Sequence, residues 1–246
     1  MKLNRIFATC ALASAASLSQ AAPIWQDFSI SALYGENYAF PFAGDKNDQS
    51  TFTFEYTAKL KYGDFFAFAD RTNNDDGNAT YFEVSPRLSL GAVTGQKLEF
   101  GPIKDVLIAT TWEGNSANYT GSDFNNYLFG IGFDIAIPKF QYAQVNLYRA
   151  INDIGSHDYQ FTFVYGIPFK LGNEEFLADA FLDWTTSEDD KASEFNWTSQ
   201  YKWNAGKHIS PETKLYLGVE HSIWRNKFGF KDTNEHNVSA LVKYHF

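Results

Sequence analysis

The chain has 246 residues and a formal net charge of −9, and 44% of its residues are hydrophobic and 18% aromatic. The single Cys excludes a disulfide framework, which needs paired cysteines, and the many aromatic residues exclude a disordered chain. The acidic balance argues against nucleic-acid binding, because contact with the phosphate backbone needs clustered Lys and Arg.

The first 21 residues have the pattern of a secretory signal peptide. A short basic start precedes an apolar run over residues 6–18, and small residues mark a cleavage site after Ala21. The run is too short to span a bilayer, and its flanks favour a signal over a buried N-terminal helix. Cys10 lies in this segment without a lipoprotein-type pattern, so no lipid anchor is predicted. Cleavage would remove two basic residues and no acidic one, leaving residues 22–246 with a net charge of −11.

The rest of the chain alternates apolar and polar residues in segments of about ten, the length of a tilted membrane strand, which recur about every nineteen residues. Period-2 alternation predicts strands, and helical periodicity is scarce. The segments with an apolar face at every second position are 28–34, 52–56, 82–90, 106–112, 127–137, 145–147, 159–167, 176–184, 195–203, 215–219 and 238–246. The segment 64–72 is also predicted as a strand, although its facing is not settled by the alternation. The sequence therefore predicts twelve strands.

The predicted connections alternate between short and long. Short links with turn residues lie at 62–64, 138–140 and 172–174. Longer acidic or Asn-rich loops lie at 35–47, 73–78, 114–125, 152–158, 187–193 and 226–235. An even strand number, alternating link lengths and an apolar outer face are typical of an outer-membrane barrel with short periplasmic turns and long outer loops. The predicted fold is therefore all-β, a transmembrane antiparallel β-barrel of 12 strands spanning residues 22–246.

A secreted soluble β-sandwich or barrel would also alternate, but its apolar face would point into a packed core. Two features favour the membrane barrel: the polar face is too rich in charge for a core, and the chain ends in Tyr244, His245 and Phe246. A terminal Phe with aromatic residues at alternate positions resembles the signal that the outer-membrane assembly machinery recognises. We therefore expect a monomer in the outer membrane of a Gram-negative bacterium, in contact with its lipid and lipopolysaccharide.

Motifs for catalysis are scarce. Residues 22–246 contain no Gly-rich phosphate loop, paired-Cys metal site or Gly-x-Ser-x-Gly elbow, and the five histidines include no pair at metal-ligand spacing in the sequence. An outer-membrane phospholipase would place His and Ser two residues apart on one face. Here His221 and Ser222 are adjacent, so their side chains point to opposite faces. We expect neither an enzyme nor a cofactor.

The polar face of the strands is expected to line the lumen, where function should lie. It mixes charges of both signs with aromatic residues, which does not suggest a strongly ion-selective pore. A neutral polar solute fits better, because aromatic rings can stack on a flat ring while polar groups bind hydroxyls. The candidate substrate-binding residues are Glu55, Glu83, Arg87, Asp134, Asp179, Phe181, Asp183, Lys202, Tyr216 and Glu220, and Lys59 and Lys243 share their face. Each charged residue has an alternative role as a structural salt bridge in the wall.

Several stretches resemble the family of nucleoside-specific channel-forming outer-membrane porins and its phage-receptor relatives. They are YGDFFAFADR at 62–71, SPRLSL at 85–90, KDVL at 104–107, FLDWT at 181–185, WRNKFG at 224–229 and VKYHF at 242–246. The resemblance implies a twelve-stranded monomeric barrel whose narrow lumen passes nucleosides. Two other functions stay open: a surface barrel that acts mainly as a receptor or adhesin through its outer loops, and, as a more distant alternative, a phospholipase-like enzyme.

Overall fold

The computed structural model describes residues 22–39, 47–118 and 122–246; the predicted signal peptide, residues 1–21, lies outside the described residues. Within these ranges, twelve antiparallel strands pair with their neighbours in sequence and close into a barrel through β1 and β12. The strands are β1 (Trp25–Tyr38), β2 (Asn47–Leu60), β3 (Gly63–Asn74), β4 (Gly77–Ser89), β5 (Ile103–Ala117), β6 (Phe124–Ile135), β7 (Tyr142–Ile151), β8 (Tyr159–Leu171), β9 (Glu174–Thr185), β10 (Phe195–Asn204), β11 (Lys214–Arg225) and β12 (Glu235–His245). The predicted fold class and strand number are confirmed.

Most apolar side chains of the strands face outward, and most polar ones face the lumen. Phe52 and Phe54 of β2 are 52% and 47% exposed, whereas Ser31 of β1 and Ser239 of β12 are 2% and 0% exposed. Residues directly opposite each other on paired strands share a face, so the register carries this assignment around the closed barrel. A soluble barrel would bury the phenylalanines instead, and the predicted apolar outer face is confirmed.

The register also settles the facing of β3. Lys59 of β2 and Arg87 of β4 both lie directly opposite Asp64, so Asp64 shares their lumen-facing side. Phe66 and Phe68 follow at alternate positions and face the lumen as well. The alternation alone left this strand open because phenylalanines occur on both of its faces.

The two ends of the barrel carry different connections. What we call the turn end holds the connections 61–62, 90–102, 136–141, 172–173 and 205–213. What we call the loop end holds the connections 75–76, 152–158, 186–194 and 226–234, whereas the predicted loops 35–47 and 114–125 lie partly outside the described residues, at 40–46 and 119–121. The longest turn-end connection includes a short helix α1 (Leu90–Thr94), and no helix in the described part of the chain is long and apolar enough to cross a membrane.

The predicted alternation of short and long links is wrong at three connections: 90–102 and the nine-residue 205–213 at the turn end, and 75–76 at the loop end. The connection 90–102 is long because Ser89 caps α1 by accepting a hydrogen bond from the Ala92 N–H at 2.9 Å, a motif too short for the periodicity to indicate. The predicted loop 73–78 is instead a tight turn, since β3 and β4 pair as far as Asn74 opposite Gly77. The Asn74 side chain closes this turn, because its Oδ1 accepts hydrogen bonds from the backbone N–H groups of Asp76 and Gly77, at 3.0 and 3.2 Å.

Candidate functional site

The lumen contains every candidate residue that the sequence singled out. The strand register places all of them on the lumen face: Glu55, Glu83, Arg87, Asp134, Asp179, Phe181, Asp183, Lys202, Tyr216 and Glu220. They are not brought together in one cluster. The charged candidates nearer the turn end are held in ion pairs, whereas the acidic candidates nearer the loop end accept hydrogen bonds from neutral side chains.

Arg87 is the centre of an ion cluster near the turn end. Its guanidinium donates to both carboxylate oxygens of Asp64, at 2.7 and 2.8 Å, and to Asp134 at 2.8 Å. Lys59 Nζ lies 3.4 Å from Asp64 and 3.8 Å from Asp134. The Arg87 side chain is only 4% exposed. Paired, forked contacts of this kind offset the cost of burying the charge.

Two further lysines, on β10 and β12 in the turn-end half of the barrel, are paired in the same way. Lys202 Nζ lies 2.5 Å from Asp179 and Lys243 Nζ lies 2.8 Å from Glu55, and the two lysine side chains are 1% and 4% exposed. We call these two pairs and the Arg87 cluster the paired-ion region. Five of the ten candidate residues are therefore engaged in salt bridges of the wall, the alternative role that sequence analysis kept open.

A second group of carboxylates lies in the middle and loop-end parts of the strands. The Tyr81 hydroxyl lies 2.6 Å from Glu83 Oε1 and 3.1 Å from Glu113 Oε2, and Asn126 donates to the other oxygen of Glu113 at 2.7 Å. One hydroxyl proton serves one strong hydrogen bond at a time. The two carboxylates therefore share one donor and keep lone pairs that can accept further hydrogen bonds.

Three more lumen carboxylates have neutral donors. Thr53 donates to Asp70 at 2.6 Å, Gln200 donates to Glu220 at 2.8 Å, and Thr162 and Gln160 donate to Asp183. We call Asp70, Glu83, Glu113, Asp183 and Glu220 the carboxylate region. Among the described residues, no Lys or Arg forms an ion pair with any member of it.

A chain of aromatic rings runs along the lumen wall beside the carboxylate region. The ring centroids of Phe66 and Phe68 lie 5.8 Å apart, those of Phe68 and Tyr81 5.7 Å apart, and those of Tyr81 and Phe124 6.3 Å apart. We call these four residues the aromatic track. It starts near the turn end of β3 and reaches the loop end of β6.

The aromatic track was not predicted from the sequence, because the facing of β3 was open. A usable signal was present: Asp64 and Asp70 share the parity of Phe66 and Phe68, and two acids on a lipid-facing side of a membrane strand would be costly. The two aromatic candidates that were predicted lie apart from the track. Phe181 lies opposite Val164 and Thr198, and the Tyr216 ring packs edge-on against His245 with centroids 5.5 Å apart.

Loops close over part of the loop end. Lys227 is paired with Glu235, and both side chains are almost fully buried. The ammonium lies 4.6 Å from the Trp224 ring centroid and 5.1 Å from that of Phe228, and burial holds the pKa of Lys227 below its ordinary value. Asp158 accepts a hydrogen bond from Lys191, which links the connections 152–158 and 186–194.

The predicted opposite facing of His221 and Ser222 is confirmed. Ser222 is 6% exposed and lies opposite Asn237 on the lumen face, whereas His221 lies on the outer face. The His and Ser spacing of a phospholipase site is thus absent from this strand pair. Within the described residues, no group of three or more His, Cys, Asp or Glu side chains has a metal-binding arrangement.

A closed barrel with an apolar exterior and a lumen lined by charges, amides and aromatic rings defines an outer-membrane channel. Residues 25–246 match the family of the nucleoside-specific channel-forming protein Tsx, and the chain belongs to this family. The suspected family is confirmed, and so is the predicted location in the outer membrane of a Gram-negative bacterium.

Individual relatives are distant. The chain is 24% identical to the outer membrane protein OmpK of Vibrio parahaemolyticus over 89% of this chain and 84% of that protein. It is 24% identical to the nucleoside-specific channel-forming protein Tsx of Salmonella typhimurium over 60% of each chain. Among solved structures, the KdgM porin superposes with a TM-score of 0.50 at 10% identity, over 89% of this chain and 99% of that one. This last likeness concerns the fold alone.

Proposed function

We propose that the barrel is a passive channel for nucleosides and similar small solutes that combine a flat ring with hydroxyl groups. The observation that carries the proposal is the position of the aromatic track beside the carboxylate region, where Tyr81 belongs to the first and hydrogen-bonds the second. The membership of the nucleoside-specific family and the name of the Salmonella relative support the same substrate class.

The track supplies the contact for the base. Stacking of a base on an aromatic side chain contributes about 1–3 kcal/mol and tolerates any base, because every base has a π-face. Phe66, Phe68 and Tyr81 offer successive rings less than 6 Å apart, so a base can leave one ring as it reaches the next. Conduction needs binding that is strong enough for entry and weak enough for release, and several similar weak sites satisfy both conditions.

The carboxylates supply the contact for the sugar. An ionised carboxylate only accepts hydrogen bonds, and ribose hydroxyls can donate them. In the paired-ion region the carboxylate oxygens are already engaged by Arg87, Lys202 and Lys243. In the carboxylate region the partners are neutral, so Glu83 and Asp183 are the better candidates among the acidic residues that the sequence indicated.

The test is uptake of adenosine and of glycerol by liposomes containing the purified barrel. Phe68→Leu removes a ring of the track, and Phe65→Leu on the outer face of the same strand is the matched control. We expect Phe68→Leu to slow adenosine uptake at low concentration and to leave glycerol uptake unchanged, because only the flat solute gains from stacking. Phe65→Leu should change neither rate.

Two results would contradict the proposal. Faster uptake of both solutes by Phe68→Leu would show that the ring only narrows a nonselective pore. Equal slowing of adenosine by both variants would show that the change acts on the whole barrel and not on the track.

A further inference from the structure

Two histidines meet on the outer surface of the barrel, away from the lumen. His221 of β11 and His236 of β12 are diagonal neighbours, because His221 lies opposite Val238 and His236 lies opposite Ile223. Their Nε2 atoms are 2.8 Å apart, and their rings are inclined at 72° with centroids 4.9 Å apart. The sequence separation of 15 residues hides this pair from a search for metal-ligand spacing.

The pair has the chemistry of a metal ligand set. When two neutral imidazoles face each other through Nε2, one nitrogen carries the proton and the other accepts the hydrogen bond. If that proton moves to the Nδ1 of its own ring, both Nε2 atoms carry a lone pair and can bind one ion. Neutral imidazole is a common protein ligand for Cu²⁺, Ni²⁺ and Zn²⁺.

The 2.8 Å distance between the nitrogens is that of a hydrogen bond, and it also suits one of two coordination geometries. Two bonds of about 2.0 Å that meet at a right angle separate their nitrogens by about 2.8 Å, whereas a tetrahedral angle separates them by about 3.3 Å. The pair is therefore arranged for two adjacent positions of a tetragonal site. Tetragonal coordination by nitrogen and oxygen is typical of Cu²⁺ and Ni²⁺, and affinity peaks at Cu²⁺ in the divalent series.

The surroundings fix the pair and leave space for further ligands. The Trp197 ring packs edge-on against His221 with centroids 6.3 Å apart. His236 is exposed and borders an open groove of about 380 Å³ whose lining includes Tyr34 and Glu36. The groove leaves one side of the pair open and has Glu36 in its wall.

We propose that His221 and His236 form a binding site for a tetragonal divalent ion, Cu²⁺ in preference to Ni²⁺ and Zn²⁺, on the outer surface near the loop end. The site is separate from the lumen and independent of the solute that the channel carries. The two imidazoles are its protein ligands, and oxygen ligands complete it.

The experiment titrates CuCl₂ into the barrel purified from outer membranes without a polyhistidine tag, with calorimetry and electron paramagnetic resonance as readouts. We expect one ion per barrel and a spectrum with coupling to two imidazole nitrogens. His221→Asn and His236→Asn should each weaken binding by more than about tenfold and leave at most one coupled imidazole nitrogen. His157→Asn and His208→Asn, at surface histidines elsewhere, should bind as the wild type does.

Folding is checked independently, because the folded barrel migrates differently from the heated one in electrophoresis. If the wild-type spectrum lacks coupling to two imidazoles, the site does not exist. If either folded variant at position 221 or 236 binds Cu²⁺ with unchanged affinity, a different group is the ligand. Tighter binding of Zn²⁺ than of Cu²⁺ would overturn the tetragonal assignment.

Discussion

The two parts of the lumen hold their charges in opposite ways. In the paired-ion region, Arg87, Lys202 and Lys243 are buried and each contacts a carboxylate at 2.5–2.8 Å. In the carboxylate region, acids accept hydrogen bonds from hydroxyl and amide groups instead of cations. Pairing offsets the cost of burying a charge. The first region therefore stabilises the wall, whereas the acids of the second keep acceptor capacity that no Lys or Arg among the described residues takes up.

The largest expected effect is a loss of stability when Arg87 of the paired-ion region is replaced. Arg87→Met leaves Asp64 and Asp134 facing each other with only Lys59 beside them. Loss of one partner of a buried ion cluster costs about 3–5 kcal/mol. The free energy of unfolding, measured by urea titration of the barrel in detergent, should fall by that amount.

The control for Arg87 is the exposed ion pair of Lys170 with Glu175, whose side chains are 71% and 43% exposed. Lys170→Met should change the unfolding free energy by no more than about 1 kcal/mol. Similar losses in the Arg87 and Lys170 variants would show that burial does not distinguish the two pairs.

Lys202→Met should lower the free energy of unfolding by about 3 kcal/mol, somewhat less than Arg87→Met, because it leaves the Asp179 carboxylate without its cation. Adding Asp179→Leu should restore most of the stability, because replacing both ions by apolar groups removes the uncompensated charge. Urea titration of the single and double variants measures the coupling. A double variant as unstable as the single one would mean that Lys202 acts through packing rather than through this pair.

The carboxylate region should respond in permeation rather than in stability. Its acids have no cationic partner among the described residues. The positive and negative charges that the sequence predicted for the lumen are therefore distributed unevenly along it. The channel should moderately favour small cations over anions. Glu83→Gln with Glu113→Gln should shift the reversal potential in a KCl gradient toward zero while the unfolding free energy changes little. An unchanged reversal potential would show that Glu83 and Glu113 do not determine the cation selectivity.

Period-2 alternation in the sequence predicts some features of the fold and of the site, and it leaves others open. Parity fixes which face a side chain occupies, so the strand number and the facing of Arg87 and Asp183 could be read without coordinates. Parity does not encode register, and register decides that Asp64 lies opposite Arg87 and that His221 meets His236. Where aromatic residues stand on both faces, as in β3, even the facing is lost. Link lengths failed for a local reason, the side-chain hydrogen bonds of Asn74 and Ser89.

The smallest expected effect concerns Phe181, which the sequence indicated as a stacking residue. It lies on the lumen face between Asp179 and Asp183, of which Asp179 belongs to the paired-ion region and Asp183 to the carboxylate region. Phe181 therefore sits at the boundary between the two regions and outside the aromatic track. Phe181→Ala should slow adenosine uptake into liposomes less than Phe68→Leu does and leave glycerol uptake nearly unchanged. Asp183→Asn should have a still smaller effect, because its amide oxygen still accepts a hydrogen bond from a sugar hydroxyl. Faster flux of both solutes in Phe181→Ala would instead assign Phe181 to the wall, and the boundary between the two regions would then carry no binding role.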